Sequence, residues 1–225
     1  MTALEMLTKV RTMLDEVEPE GMWKNFEIYS SLTSGQEAYA SMVFAQYKGK
    51  AALNINEPVP QVLSPLIIDM TTAIPDATSR LNNPADLWDY ISLLYNHQSA
   101  TAGLIPMYKR ETNGRYNAIS GNKYLQGDTV NDYYYTLASD GIRLETPVSN
   151  VDGGQIRIIY LEKPTKIVID PDATDPAVAT IQPILPSFTH DAICTYAFSD
   201  MCNKIKMYEV AAQYYQKFLN MVEYI

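Results

Sequence analysis

The last forty residues of the chain carry an apolar stripe at the spacing of a helix. Each step along it is three or four residues, which is the repeat of one helical face. Poor helix formers around Asn203 predict a break or kink there, although the unbroken phase would also suit one continuous helix. The stripe consists of Ile193, Ala197, Met201, Ile205, Tyr208, Ala212, Tyr215, Leu219 and Val222.

Two more helices are predicted near the N-terminus. Leu4, Leu7, Val10 and Leu14 have helical spacing, and a second helix fits Asn25 to about Gln46 with Asn25 as its N-cap. The inward face of the second helix is expected to hold Tyr29, Leu32, Gln36, Tyr39 and Val43.

The opposite face of this second helix is almost free of charge. A solvated face usually carries Lys and Glu, so this face is expected to be covered, either by the middle part of the chain or by another subunit. Its polar residues are Ser30, Ser31, Thr33, Ser34 and Ser41.

The middle of the chain changes character. Asn83-Pro84 favours a helix from Ala85 to about Asn96. Later segments alternate as strands, and the Ser139-Asp140-Gly141 turn indicates a hairpin. The predicted strands are Leu104–Lys109, Asp132–Ala138, Gly141–Glu145 and Gln155–Leu161.

These elements predict an α+β fold in two parts. Helices in 1–55 and 165–225 form a bundle, and 56–164 form a mixed insertion with a β-rich lobe. A β-patterned region followed by a proline-rich strip and a helical end is an order that proteins built to dock into an assembly often show.

Composition restricts the partners. The net charge of −9 makes a poor grip for nucleic-acid phosphates. The 17 Tyr against 5 Phe suit protein–protein surfaces, and the alternative is that Tyr replaces Phe in the core. Cys194 and Cys202 would lie about 12 Å apart along one helix, too far for a disulfide, so both are expected to be free thiols. No apolar run reaches membrane-spanning length.

Catalytic and metal-binding patterns are missing from the sequence. The motifs GxGxxG, HExxH, CxxC and GxSxG do not occur, and no cofactor is expected. His97 is expected in a loop and His190 at a helix start or on the surface. The acidic residues Asp170, Asp172 and Asp175 lack the spacing of a calcium loop. A weak stacking pattern for single-stranded nucleic acid comprises Arg110, Arg115 and Lys123 with Tyr108, Tyr116 and Tyr124.

The order of elements resembles the head–tail connector (adaptor) proteins of tailed phages, especially the podophage type and the ring proteins of crAss-like phages. Two features carry the resemblance: a hairpin and strand with a Tyr-x-x-x-Pro exit at Tyr160 to Pro164, and a final helix pair rich in Ala and Tyr. The Ala and Tyr residues are Ala192, Ala197, Ala211, Ala212, Tyr214 and Tyr215. The long insertion from Pro58 to Pro164 and the helical finish depart from that pattern.

The resemblance implies a virion structural protein of the neck or tail, assembled in the host cytoplasm and without enzymatic activity. It implies a homo-oligomeric ring, usually a dodecamer, that binds the portal protein and tail or further ring proteins. The genomic DNA would pass through the ring without sequence-specific binding, and no membrane is involved. Another virion ring, such as a stopper or tail-hub component, and a cytoplasmic protein-binding module are the alternatives.

Within this interpretation the stripe divides by role. Ile193, Ala197, Met201, Tyr208, Ala212 and Leu219 are expected in the core of the subunit. Contacts with neighbours or the portal are expected at Tyr29, Tyr39, Trp88, Tyr95, Tyr214, Phe218 and Met221.

Overall fold

A computed structural model describes residues 1–17, 23–53, 57–73, 80–96, 104–109, 133–138, 141–145, 155–169 and 180–223. Helices near both ends enclose a sheet-forming middle in the chain order, so the α+β prediction is confirmed. The chain divides into a helical unit, residues 1–66 with 164–225, and a sheet unit, residues 67–163. The helical unit therefore extends to Leu66, beyond the boundary expected at residue 55.

The N-terminal helices are α1, Ala3–Val17, and α2, Asn25–Leu53. All five residues predicted on the inward face of α2 are buried. The inward face of α1 differs slightly from the predicted one, because Met6 is buried while Leu4 is 59% exposed. Asn25 is not the N-cap, because the Ile28 N–H donates to the Lys24 carbonyl at 3.4 Å and Lys24 therefore holds that position. The Asn25 side-chain oxygen accepts a hydrogen bond from Arg11.

The C-terminal region forms α3, His190–Lys204, and α4, Tyr208–Glu223, so the predicted break is confirmed. The backbone N–H of Met207 donates to the carbonyl of Cys202, and that of Lys206 donates to Asn203. This pair of bonds is the Schellman arrangement that ends a helix. It requires a left-handed residue, and Lys206 has a φ of 66°.

Helix α3 is the centre of the helical unit. It packs against α1, α2 and α4, and most of its residues are buried, including both cysteines. The stripe prediction is therefore correct for Ile193, Ala197 and Met201. A short 3₁₀ helix, Ser187–Thr189, leads into it, and another, Gln61–Leu66, follows α2.

On α4 the stripe prediction is wrong for Tyr208, which is 63% exposed, and for Ala212, which is also exposed, but it is correct for Val222, which is buried. Ala211 and Phe218, which lie off the stripe, are buried as well. The helix is apolar on two adjacent flanks, and periodicity alone does not reveal which flank the rest of the chain covers.

The sheet unit contains seven described strands in the order β1-β7-β3-β4-β5-β6-β2. Neighbouring strands are antiparallel except β4 and β5, which are parallel. The strands are β1 Ile67–Ala73, β2 Arg80–Leu81, β3 Leu87–Asn96, β4 Leu104–Lys109, β5 Tyr133–Ala138, β6 Gly141–Glu145 and β7 Gln155–Glu162. In the helical unit, β8 Val168–Ile169 pairs with β9 Thr180–Ile181.

The helix predicted over 85–96 is wrong, because Leu87–Asn96 forms strand β3. The segment is rich in aromatic residues, which favour strands, and it pairs with β7 along most of its length. Its register shifts twice, between Leu87 and Asp89 and between Tyr90 and Ser92. Such irregularities disturb a strict two-residue alternation, which explains why the spacing imitated a helix.

The other strand predictions are confirmed, and the hairpin joins β5 to β6 with Ala138 opposite Gly141. Alternate residues of β7 are buried, namely Ile156, Ile158 and Tyr160. They form one apolar cluster with Leu81, Leu93, Tyr95, Tyr135, Ile142 and Leu144.

Candidate interaction surface

A line of apolar residues on α4 faces solvent. Tyr208, Ala212, Tyr215 and Leu219 follow one another at helical spacing, and we call this line the aromatic ridge. Tyr208 is 63% exposed and Tyr215 is 41% exposed, while Leu219 is half-buried. Glu209 and Lys217 of the same helix lie off this line, and Glu223 ends the helix four residues after Leu219. The four ridge residues are themselves uncharged and include two exposed tyrosine rings.

Tyr215 is both exposed and held in place. Its ring centroid lies 6.0 Å from that of Phe218 and 6.2 Å from that of Tyr196 on α3. Phe218 is fully buried, and its ring lies 5.1 Å from that of Tyr196. The ridge therefore has a packed base, which reduces the entropy lost when a partner binds.

A groove of about 730 Å³ runs along the N-terminal half of α2. The segment before β8 forms its other wall, where the backbone N–H of Ile167 donates to the Thr33 hydroxyl at 3.0 Å. Glu37 and Lys166 are its charged residues, and most of the rest is apolar or hydroxyl-bearing. We call this the hydroxyl groove; it is lined by Asn25, Phe26, Tyr29, Ser30, Thr33, Ser34, Glu37 and Lys166 to Val168.

The serine-rich face of α2 is covered in part by the helical unit itself. The Ser31 hydroxyl donates to the Asp200 carboxylate at 2.6 Å and accepts from the Lys204 ammonium at 2.8 Å. Both partners lie on α3, so this cover is neither of the two expected ones. Ser30, Thr33 and Ser34 instead face the open groove.

The residues predicted to contact neighbours or the portal differ in how far they are exposed. Tyr39, Tyr95 and Phe218 are buried within their units, which leaves their side chains little surface to offer a partner. Tyr29 is also buried at 6% exposure, but it lines the groove. Trp88, Tyr214 and Met221 are half-buried, and a contact through them stays a prediction. The sequence reasoning named Tyr208 and Ala212 as core residues and so missed the ridge.

His190 and the two cysteines, which are candidates for chemical roles, lie in the helical unit. His190 is the first residue of α3, as expected, but it is buried rather than at the surface, and its Nε2 lies 2.9 Å from the Leu185 carbonyl oxygen. Burial raises the pKa of the Cys194 thiol to about 12 and that of Cys202 to about 11. Both thiols are free, as predicted, and are held in the unreactive protonated form at neutral pH.

Within the part of the chain that the structure describes, no three His, Cys, Asp or Glu residues lie close enough to hold a metal ion. The remaining chemical candidates lie outside the described residues. They are His97, the three aspartates at 170, 172 and 175, and the basic residues Arg110, Arg115 and Lys123 with Tyr116 and Tyr124. Tyr108 lies on β4.

None of the described helices combines the length and the apolar character needed to cross a lipid bilayer.

A helical unit with exposed aromatic residues on α4 and a groove along α2, together with a sheet unit, defines a protein whose described surfaces suit binding to other proteins. The model of the SU10 adaptor protein family matches residues 1–225, and the chain belongs to that family. The resemblance to phage adaptors is thereby confirmed, and the match supports a structural role as a phage adaptor. No curated protein matches the chain.

Proposed function

We propose that this protein is a head-to-tail adaptor that forms a ring beneath the portal vertex of a tailed-phage capsid. The observation that carries the proposal is the family match over the full 225 residues. The helical unit supports it, because the exposed aromatic residues of α4 are suited to bury against neighbouring proteins.

In this proposal each subunit has neighbours of several kinds. Copies of the chain form the ring, a dodecamer in the virion. The portal protein lies on one axial side, and tail or further ring proteins lie on the other. The protein is a virion component without catalytic activity, and its assembly takes place in the host cytoplasm.

The genome would cross the lumen of this ring. The chain has a net charge of −9, and a surface of that sign repels the phosphates of DNA. Repulsion prevents the tight, salt-dependent phosphate contacts by which basic proteins hold nucleic acid. DNA would therefore slide through the ring without being bound at a particular sequence.

Cryo-electron microscopy of purified portal particles mixed with this protein tests the proposal. We expect an added ring of density on the face of the portal that points toward the tail. Portal particles alone are the control, and a known connector that binds under the same conditions shows that the particles are competent. Absence of added density under those conditions overturns the proposal. Mass spectrometry of purified virions should find the chain in the same copy number as the portal subunit.

A further inference from the structure

The turn that leads into β3 is held by hydrogen bonds from β3 and from the end of β7. The Tyr160 hydroxyl donates to the Asp86 carboxylate at 3.0 Å, and the Tyr90 hydroxyl donates to the Asn83 side chain at 2.9 Å. The backbone N–H of Lys163, the residue after β7, donates to the Asp86 carbonyl at 2.9 Å. Asp86 is therefore joined to this end of β7 through both its side chain and its backbone.

A second carboxyl group lies beside that of Asp86. Side chains alternate between the two faces of a strand, so Glu162 shares a face with Ile158 and Tyr160, which are buried in the apolar cluster of the sheet unit. Glu162 also stands opposite Leu87, the residue after Asp86. Two carboxyl groups thus meet at the end of the inward face, where the Tyr160 hydroxyl donates its one hydrogen to Asp86.

The surroundings of Glu162 favour its protonated form. Partial burial, the charge of Asp86 and a hydrogen bond to Asp86 all raise the pKa of Glu162 above its ordinary value. A protonated carboxyl can donate to a neighbouring carboxylate, whereas two ionised carboxylates only accept hydrogen bonds and repel each other. Uptake of one proton therefore replaces a repulsive contact between these two side chains with a hydrogen bond.

The charged and titratable groups around this pair come from β1, β3, β5 and β7. They are Asp69, Asp89, Tyr90, Tyr135, Arg157, Tyr160 and Lys163. Burial raises the pKa of Tyr90 and of Tyr160 to about 12, so both hydroxyls keep their protons while a glutamate titrates. Arg157 lies on the other row of β7 and forms its ion pair with Asp69 of β1. The charge of Arg157 is thus engaged on the face opposite Glu162.

We propose that Asp86 and Glu162 form an acid-closed clasp, in which the protonated Glu162 carboxyl donates to the Asp86 carboxylate and joins the turn before β3 to the end of β7. The clasp closes in mild acid, and repulsion between the two carboxylates opens it as Glu162 ionises. Because the pKa of Glu162 is higher in the folded chain than in the unfolded chain, the clasp stabilises the fold below the ordinary value. That contribution is lost as the pH rises through the raised value.

Thermal unfolding of the full-length chain at pH 5 and at pH 7.5 tests the clasp. Glu162→Gln removes the charge and places a permanent N–H donor beside Asp86, so it imitates the closed form. We expect its unfolding midpoint to exceed that of the unmodified protein at pH 7.5, and this difference to shrink at pH 5. Glu209→Gln, at an exposed position of α4, is the matched control and should shift the midpoint equally at both pH values. A difference for Glu162→Gln that does not change with pH overturns the clasp.

Carbon-13 NMR of the glutamate side-chain carboxyls follows the proton directly. The Glu162 resonance is the one that Glu162→Gln removes, and its titration midpoint should lie above the ordinary value of a glutamate. Asp86→Asn removes the neighbouring charge and should shift this midpoint downward, whereas Asp69→Asn, on the other face, should move it less. Equal shifts from these two variants, or an ordinary midpoint in the unmodified protein, would contradict the clasp. Circular dichroism spectra like that of the unmodified protein confirm that each variant is folded.

Discussion

Gly35 of α2 lies directly against Ile193 of α3. A β-carbon placed on Gly35 would be 2.9 Å from the Ile193 carbonyl oxygen, closer than β-carbons normally come to a non-bonded atom. The Tyr196 ring would be 3.2 Å away. The two helices therefore pack at a separation that only glycine allows at this position.

Gly35→Ala should lower the free energy of unfolding by about 1–3 kcal/mol, because the helices must separate to admit the methyl group. Gly49→Ala on the same helix is the matched control. A β-carbon there meets no atom within 4 Å, so the better helix propensity of alanine should raise stability by up to about 1 kcal/mol. Urea unfolding followed by circular dichroism measures both. Equal effects of the two substitutions would contradict this account of the packing.

Gln36→Leu should also destabilise the helical unit. The Gln36 amide donates to the Thr165 carbonyl at 3.0 Å and accepts from the Ile184 N–H at 2.9 Å. Leucine leaves both backbone groups without that partner, at a cost of about 1–3 kcal/mol for each. Gln46→Leu, at an exposed position of the same helix, should change stability by less than about 0.5 kcal/mol. If Gln36→Leu left the free energy of urea unfolding unchanged, the two hydrogen bonds of Gln36 would contribute nothing to stability.

Alanine substitutions at Phe218 and Tyr208 should differ in how much they lower the free energy of unfolding. Phe218 is fully buried against Tyr39 and Tyr196, so Phe218→Ala should cost about 3–5 kcal/mol in thermal or urea unfolding. Tyr208→Ala should change the stability of the monomer by less than about 0.5 kcal/mol, because the Tyr208 side chain is 63% exposed. A large loss of monomer stability in Tyr208→Ala would show that the Tyr208 side chain lies in the core, as the stripe predicted.

Lys206→Gly should stabilise the protein by about 0.5–1 kcal/mol. Lys206 holds a φ of 66° at the position after α3 where helices most often have glycine. Glycine removes the steric cost of this conformation, although it also loosens the unfolded chain. The midpoint of urea unfolding should therefore rise. Lys206→Val, which is β-branched, should lower it, and a shift of both variants in the same direction would count against a strained cap.

Stability should fall as the pH rises above neutrality into the alkaline range. Burial raises the pKa of Tyr39 to about 12 and that of Cys194 to about 12. In the unfolded chain these groups lose their protons near pH 10 and near pH 8.5. Their contribution is thus complete below those values and disappears as the pH climbs toward 12. Urea unfolding at pH 8, 10 and 11 measures the slope, and Tyr39→Phe should make it shallower than in the unmodified protein.

Much of the helical unit could be predicted from sequence, because burial there follows one face of each helix. The inward face of α2 is a clear case, including Gln36, whose amide satisfies two backbone groups. The break after Lys204 could also be predicted, although its cause is the Schellman arrangement rather than helix propensity alone.

Two features depend on tertiary contacts that no local pattern contains. Leu87–Asn96 has apolar residues at spacings that fit either a helix or an irregular strand. It forms a strand because its backbone pairs with β7. On α4 both Tyr208 and Phe218 belong to apolar flanks. Only the position of Tyr39 and Tyr196 determines that Phe218 is enclosed and Tyr208 is left at the surface.

The position of β7 also sets an order of events during synthesis. It is the last strand of the sheet unit in the chain, yet it lies between β1 and β3. While the ribosome is still producing residues before Gln155, β1 and β3 have no strand to join them, and the sheet cannot be completed. The helical unit waits longer, because α1 and α2 are made first and α3, which packs against both, is made only after the whole sheet unit. The nascent chain thus exposes the apolar faces of α1 and α2 until translation is nearly finished, and transiently exposed apolar surface of this kind favours aggregation.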